Sequence, residues 1–288
     1  MSHPPDTLSL VADIGGTNTR VALADGPRVL PETIRRYRNA DHPGLESVLT
    51  RFIAEEDGVD CAAACVAVAG PVRHGRASMT NLDWTIDEDT VARAAQAEVV
   101  AILNDLQVQG HALGHLETEN LRCVVEGPDW QPGETRLVIG VGTGFNAAPV
   151  LEAPGGRRLV APSECGHANL PIRTEAELRL AQWVSSAHGF PGVEEVLSGR
   201  GLERVYAWLG TEAGRPQEVA AADIMAGLES GEDARAAEAA RLFTRMLGTV
   251  CGNLALIQLP FGGVYLAGGV ARAFAPHLDG LGFDDAFR

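Results

Sequence analysis

Asn104-Asp105 puts an amide and a carboxylate where a short apolar run, 99–103, ends and a helical segment opens. In open α/β sheets ligands bind at such strand ends, and a carboxylate there can take the proton of an attacking hydroxyl. Asp105 reads equally as the N-cap of the helix starting at Leu106. A second cluster, Ser163-Glu164-Cys165-Gly166-His167, sets a carboxylate and an imidazole three residues apart in a Gly-broken stretch. That pair suits a neutral polyol, because Glu accepts two hydroxyl hydrogens and neutral His donates or accepts one. No third ligand is spaced near Glu164 and His167, so a metal reading is weak. Glu194, just before Val196-Leu197-Ser198-Gly199, reads on its own as a solvated helix residue.

Two glycine bends supply a different chemistry. In Asp13-Ile14-Gly15-Gly16-Thr17-Asn18, glycines let backbone N–H groups approach phosphate oxygens and Thr17 adds a hydroxyl donor. Asp13 ends a strand where a carboxylate can hold Mg²⁺, directly or through water. The segment lacks the Gly-Lys-Ser/Thr of a Walker loop. It also lacks Gly-x-Gly-x-x-Gly, and β-like Arg20-Val21-Ala22-Leu23 follows instead of a helix. Alone it reads equally as a hairpin turn with a surface Asp. Gly140-Val141-Gly142-Thr143-Gly144 repeats the type, and Ala267-Gly268-Gly269 closes a late strand. Together they suggest a nucleotide cleft lined by backbone amides.

The elements that must position these residues alternate between strand and helix. Leu8–Asp13 and Thr19–Leu23 read as a hairpin with a Gly-rich tip, and Cys61–Ala69 and Val99–Leu103 as buried strands. Leu45–Glu56 has helical spacing, and Asp87 N-caps a helix through Ala97. After the second bend come helices at about 174–188, 200–209, 218–229 and 233–259, then a strand at Val264–Ala267. The two strand–bend–strand units suggest an internal duplication. The order favours α/β architecture, with a domain boundary near 105–115.

Composition sets the frame. The chain has 288 residues, 45% hydrophobic and 21% charged, enough for a substantial core. Its net charge of −15 makes nucleic acid and anionic membranes poor partners, and no Lys/Arg cluster is expected against that sign. Five scattered Cys without a C-x-x-C pair indicate reduced thiols and neither a zinc ribbon nor a redox dithiol. No secretory signal opens the chain, and the uncharged run Met246–Ala271 reads as buried helix, turn and strand.

The ordered set of motifs resembles the bacterial, proteobacterial-type ATP-dependent glucokinases, within the actin-like/hexokinase/Hsp70 ATPase superfamily. The segments carrying it are 10–20, 79–84, 103–105, 140–144, 164–167, 195–202 and 264–270. They span nearly the whole chain, and the zinc-type cysteine cluster of the repressor/kinase sugar-kinase family is absent. The resemblance implies an α/β, two-domain actin-like ATPase (ribonuclease H-like) fold: a small domain, 1–108, and a large domain, 109–288, around a cleft. It implies a cytoplasmic homodimer that uses ATP and Mg²⁺ to phosphorylate glucose at the 6-hydroxyl. Asp105 is then the catalytic base, and Asn104, Asp105, Glu164, His167, Glu194 and Asn81 hold the sugar. Gly15, Gly16, Thr17 and Asn18 with Gly142, Thr143 and Gly144 hold the phosphates. Asp13 serves Mg²⁺, and Gly268-Gly269 the adenosine. Three departures stand out: Phe145-Asn146 after the second bend, Cys165 where the family has Gly, and an end at Arg288 where the family continues with a strand and a helix. They motivate an alternative, a catalytically impaired sugar- or nucleotide-binding regulator. A kinase for a different hexose is a further one.

Overall fold

The computed structural model describes residues 8–79, 82–116, 118–153 and 155–288. The chain divides into two compact units, Met1–Gln109 and Gly110–Arg288.

The first unit is built on a sheet whose centre is apolar on both faces. Its strands are β1 (Leu8–Ile14), β2 (Asn18–Asp25), β3 (Arg28–Val29), β4 (Arg35–Arg38), β5 (Cys61–Val68) and β9 (Ala97–Asn104). They run in the order β3-β2-β1-β5-β9, with β4 also paired to β2. The β1–β2 hairpin is antiparallel, whereas β5 lies parallel to both β1 and β9. Parallel strands need a crossover, and α1 (Leu45–Glu55) and α2 (Glu88–Ala95) supply it. On α1, Leu45, Val48, Leu49, Phe52 and Ile53 form the buried stripe that the spacing predicts. Asp87 caps α2 by accepting the Thr90 N–H at 2.8 Å. The helix stops at Ala95, short of the expected Ala97, because Gln96 turns left-handed at φ 53° and Ala97 already pairs with Cys61. A small separate sheet, β6 (Val72–Arg73), β7 (Arg76–Met79) and β8 (Leu82–Asp87), was not evident in the sequence. Buried and exposed positions do alternate along β7 and β8, with Ala77, Met79, Trp84 and Ile86 buried.

The charge arithmetic misses one feature of this unit. Arg35, Arg36 and Arg38 on β4 gather with Arg51 of α1 around one surface pocket. The expectation that no basic cluster opposes the net charge is therefore corrected: a chain-wide average hides a local run.

The second unit repeats the plan. It contains β10 (Arg136–Val141), β11 (Phe145–Glu152), β12 (Arg158–Val160) and β13 (Val264–Ala267), in the order β12-β11-β10-β13. Again an antiparallel hairpin, β10–β11, carries a late parallel strand, β13, beside its first strand. The helices are α4 (Glu175–His188), α5 (Gly199–Glu212), α6 (Ala221–Ser230), α7 (Ala234–Gln258), α8 (Gly269–Phe274) and α9 (Phe283–Phe287). Thr174 and Glu177 form a capping box that starts α4, and Asp233 caps α7. Phe243 of α7 stacks on Phe274 of α8, ring centres 4.6 Å apart, within one buried core. Among the described residues no strand pairs with the outer edge of β13, where the first sheet continues from β5 to β9. Leu256, Ile257, Leu259 and Phe261, between α7 and β13, are exposed. No helix among the described residues is long and apolar enough to cross a membrane. All five cysteines are free thiols.

The segment α3 (Asp105–Ala112) carries the chain from the first unit into the second.

Candidate active site

In the first unit, strand order alone brings two of the singled-out segments together. The parallel register sets Asp13 beside Ala67 and Val68 beside Asn104, so the ends of β1, β5 and β9 lie side by side. Asp105 follows at the first turn of α3. It is exposed, while Asn104, Leu106 and Gln107 around it are buried. Its Oδ1 accepts the Leu106 N–H at 2.8 Å, and Asn104 Oδ1 accepts the same N–H at 2.9 Å. The bond from Asp105 reaches only its own neighbour, so the cap-like role two residues ahead falls to Asn104. Asn104 Nδ2 also donates to Gly70 O at 3.1 Å, and the Gln107 side chain accepts the Asn104 N–H. Asn104 is thus largely committed to holding the backbone around Asp105.

The Asp105 carboxyl is pushed above the ordinary carboxylate range. Although the residue is exposed at the surface, the protein packed around its base takes solvation from the charged form, which is the main cause; the Leu106 N–H opposes it, and the Asp13 charge adds to the rise. Asp13 itself is exposed and makes one long contact, 3.9 Å, with Arg20.

The first bend is closed by the Gly15 N–H donating to Asn18 O at 3.0 Å, which leaves Gly16 and Thr17 as an exposed apex. Sequence reading missed the residue that braces it. Asn39, buried, donates its own N–H to Thr17 O and its Nδ2 to Gly15 O, and accepts the Thr19 hydroxyl at 2.8 Å. A single polar residue 24 positions from Gly15 carries no periodic signal; only the β2–β4 register, with Asn18 opposite Arg38, brings it there. We expect Asn39→Ala to lose about 1–3 kcal/mol of stability, since Thr19 is left buried without its partner. Nucleotide KM should rise more than sugar KM. Urea denaturation and initial rates check both.

In the second unit, Gly142-Thr143-Gly144 is fixed from two sides. Gly199 at the start of α5 donates to Gly142 O at 2.8 Å, and the Glu194 carboxylate accepts the Phe145 N–H at 3.0 Å. Glu194 is therefore no solvated helix residue: it is half-buried, and Arg200 lies 3.5 Å from its other oxygen. A side chain at Gly144 would strike that carboxylate, its Cβ falling 2.5 Å from Glu194 Oε2. Gly268 sits at φ 102° with Val141 O 2.4 Å from where a Cβ would lie, so only glycine fits. Gly269 N in turn approaches Gly142. Gly142, Thr143, Gly144, Gly268 and Gly269 thus form one neighbourhood.

Glu164 and His167 flank a single 3₁₀ turn, Cys165–His167, both exposed, with His167 Nδ1 4.0 Å from Glu164 Oε2. The turn is laced to the loop that carries Glu194: Gly166 O accepts the Glu194 N–H at 2.8 Å and Ala168 O accepts the Val193 N–H. Asn146 braces it from β11, accepting the Ser163 hydroxyl and the Cys165 N–H on Oδ1 and donating Nδ2 to Ser163 O. Phe145, a departure from the family pattern, is a core residue. Cys165, another, does not adopt positive φ, so its side chain brings no backbone strain. Asn81 lies outside the described residues.

The first unit thus offers a raised-pKa carboxylate, a second carboxylate at the end of β1 and one amide bend; the second unit, by itself, offers another amide bend and a Glu/His/Glu set for hydroxyls. Among the described residues no group of three or more His, Cys, Asp or Glu gathers as a metal cage.

The family described as Glucokinase matches residues 10–288. A protein named glucokinase from Saccharophagus degradans is 35% identical over 282 residues, covering 96% of this chain and 87% of the relative. The solved structure of glucokinase from an Antarctic psychrotroph superposes with a TM-score of 0.83 at 27% identity, covering 98% of this chain and 88% of that one. A ROK family glucokinase from Streptomyces griseus, solved in complex with glucose and AMPPNP, is similar in fold: TM-score 0.63, 20% identity, 97% and 89% covered.

Proposed function

The chain belongs to the glucokinase family, and we propose that it transfers the γ-phosphoryl group of ATP to the 6-hydroxyl of D-glucose, giving glucose 6-phosphate and ADP. Its fold is the two-domain actin-like ATPase fold. The observation that carries the mechanism is the exposed Asp105 carboxyl at the end of β9, beside Asp13 and held by Asn104 and Leu106.

Sugar O6 forms the new bond to the γ-phosphorus as the bond to the β,γ-bridging oxygen breaks, and the hydroxyl proton passes to Asp105. A carboxyl held above its ordinary range is better matched to accepting a proton near neutral pH. Phosphoryl transfer depends mainly on positioning and charge stabilisation. Glu164, His167 and Glu194, with Asn104, orient the sugar hydroxyls. The exposed apices at Gly16-Thr17 and Thr143, with Gly15, Asn18, Gly142 and Gly144, receive the phosphates, and Gly268-Gly269 the adenosine. Asp13 fits Mg²⁺ as a cation held by one or two carboxylates and by substrate oxygens: it is exposed, and among the described residues its one ion-pair neighbour, Arg20, is distant at 3.9 Å. When bound, that ion offsets charge on the phosphates.

The same reading makes the enzyme a cytoplasmic homodimer with no nucleic-acid or membrane partner. The departures that motivated an impaired regulator are accommodated locally, Phe145 in the core and Cys165 without strain. The test is a panel of hexoses with ATP–Mg²⁺, coupled to ADP release. We expect glucose to give the highest kcat/KM, and Glu164→Gln to raise glucose KM about tenfold with kcat little changed, as for a lost charge-assisted hydrogen bond. No hexose-dependent ADP release, or a higher kcat/KM with another hexose, would reject the assignment.

A further inference from the structure

The open face of the first sheet carries a row of arginines that no role assigned above uses. In the β1–β2 register Asp13 is opposite Arg20; in the β2–β4 register Arg20 is opposite Arg36 and Asn18 is opposite Arg38. Alternate residues of a strand share a face, so Asp13, Asn18, Arg20, Arg36 and Arg38 point one way. Ile14, Thr19 and Tyr37 point the other way and are buried. Arg20, Arg36 and Arg38 are exposed. Arg20 makes its long contact with Asp13, whereas Arg36 and Arg38 have no ion-pair or hydrogen-bond partner among the described residues.

The pairing geometry sharpens the point. Asn39 N–H donates to Thr17 O, so Thr17 and Asn39 are a hydrogen-bonded pair. Asn18/Arg38 and Arg20/Arg36 then fall at the non-hydrogen-bonded positions, where opposite Cα atoms approach to about 4.5 Å. Like charges placed opposite one another destabilise a sheet. Arg20 and Arg36 thus face each other at a cost that a shared anion would remove. Arg38 stands at the bend end of the row, across from Asn18 and one residue before Asn39, the brace of Gly15 and Thr17. The exposed Gly16-Thr17 apex lies within a side-chain length of it. Three guanidiniums against one carboxylate give this face a field opposite to that of the −15 chain.

Guanidiniums meet phosphate oxygens as planar forks. We propose that Arg38, with Arg36 and Arg20 beside it, binds phosphate oxygens of the donor nucleotide at the first bend. The ligand's identity rests on the kinase reading; the row extends that site from backbone amides to a side-chain wall. A longer phosphate chain meets more of the wall, so the arginines favour a triphosphate over a diphosphate.

The experiment is calorimetric titration of the full chain in Mg²⁺ buffer, with AMPPNP in one arm and ADP in the other. Wild type is compared with Arg38→Gln, Arg36→Gln/Arg38→Gln and Arg28→Gln. Arg28 is also exposed but is opposite Asp25, at the far end of β2, so its loss changes net charge without reaching the bend. We expect Arg38→Gln to weaken AMPPNP at least tenfold and the double variant to weaken it further, with a smaller loss for ADP. Arg28→Gln should stay within about twofold of wild type, and added salt should weaken wild type more steeply than the double variant. The double variant should melt at or above the wild-type temperature, since it relieves the Arg20–Arg36 repulsion. Equal AMPPNP affinity in wild type and double variant would overturn the proposal, as would an equal loss in Arg28→Gln. A melting temperature below wild type would also overturn it, by giving the arginines a structural role. Equal weakening of ADP and AMPPNP would overturn the triphosphate preference. Hexose-dependent ADP release is followed separately: its absence, with AMPPNP binding that still depends on Arg38, would sink the kinase reading alone.

Discussion

Asp105→Asn should lower kcat by about 10²–10⁴, the range for removing a positioned general base, while leaving sugar KM nearly unchanged. The structure adds a second half to this expectation. The Asp105 carboxyl is raised by burial first and by Asp13 second, so the folded chain holds that proton more tightly than the unfolded one. Ionising it therefore costs stability: the cost is absent below the ordinary carboxylate pKa of about 4 and complete above the raised folded value. Asn carries no charge and still offers an oxygen to the Leu106 N–H. The variant should be more stable than wild type at pH 7 and no more stable at pH 4. Melting curves at the two pH values, beside initial rates, check both halves. Near-normal turnover would remove the base assignment. A stability gain independent of pH would contradict the electrostatic account.

Gly166→Ala should be the most damaging single methyl in the turn that carries Glu164 and His167. Its Cβ would fall 2.0 Å from Phe145 O, which is backbone and cannot swing aside. Relief requires the turn that carries Glu164 and His167 to part from β11, whose first N–H holds Glu194. We expect about 3 kcal/mol of lost stability, and at least about a hundredfold loss of kcat/KM from misplacement of three groups at once. Cys165→Ala, one residue earlier, should stay within about 1 kcal/mol of wild type, because that position carries no backbone strain and tolerates either side chain. Chemical denaturation and steady-state kinetics on the pair settle the contrast. Equal effects at the two positions would mean that the close approach of Gly166 to Phe145 is not what holds the site.

The elements legible in the sequence were those with repetition or a cap. The α1 stripe, the Asp87 cap, the apolar β5 and the two glycine hairpins all announce themselves within a dozen residues. The repeated plan suspected from the two bends is real at the level of sheets, each hairpin receiving a later parallel strand. What escaped was long-range and polar. Asn39 reaches the first bend from 24 residues away and Asn146 the turn at Ser163 from 17, and only folding reveals that their amides are structural. Glu194 illustrates the same limit: nothing local tells a solvated Glu from one holding a backbone N–H 49 residues distant. The arginine pocket was readable as Arg35-Arg36-Tyr37-Arg38, yet net charge pointed away from it.

The margin of β13, unpaired among the described residues, has a consequence for how solutions of this chain behave. A strand edge beside Leu256, Ile257, Leu259 and Phe261 is adhesive, whereas a −15 charge keeps molecules apart. Salt screens the repulsion and leaves the adhesion intact. Colloidal stability is thus set by a contest between one sticky rim and a diffuse electrostatic cushion, and dilute buffer of low ionic strength is where the cushion wins.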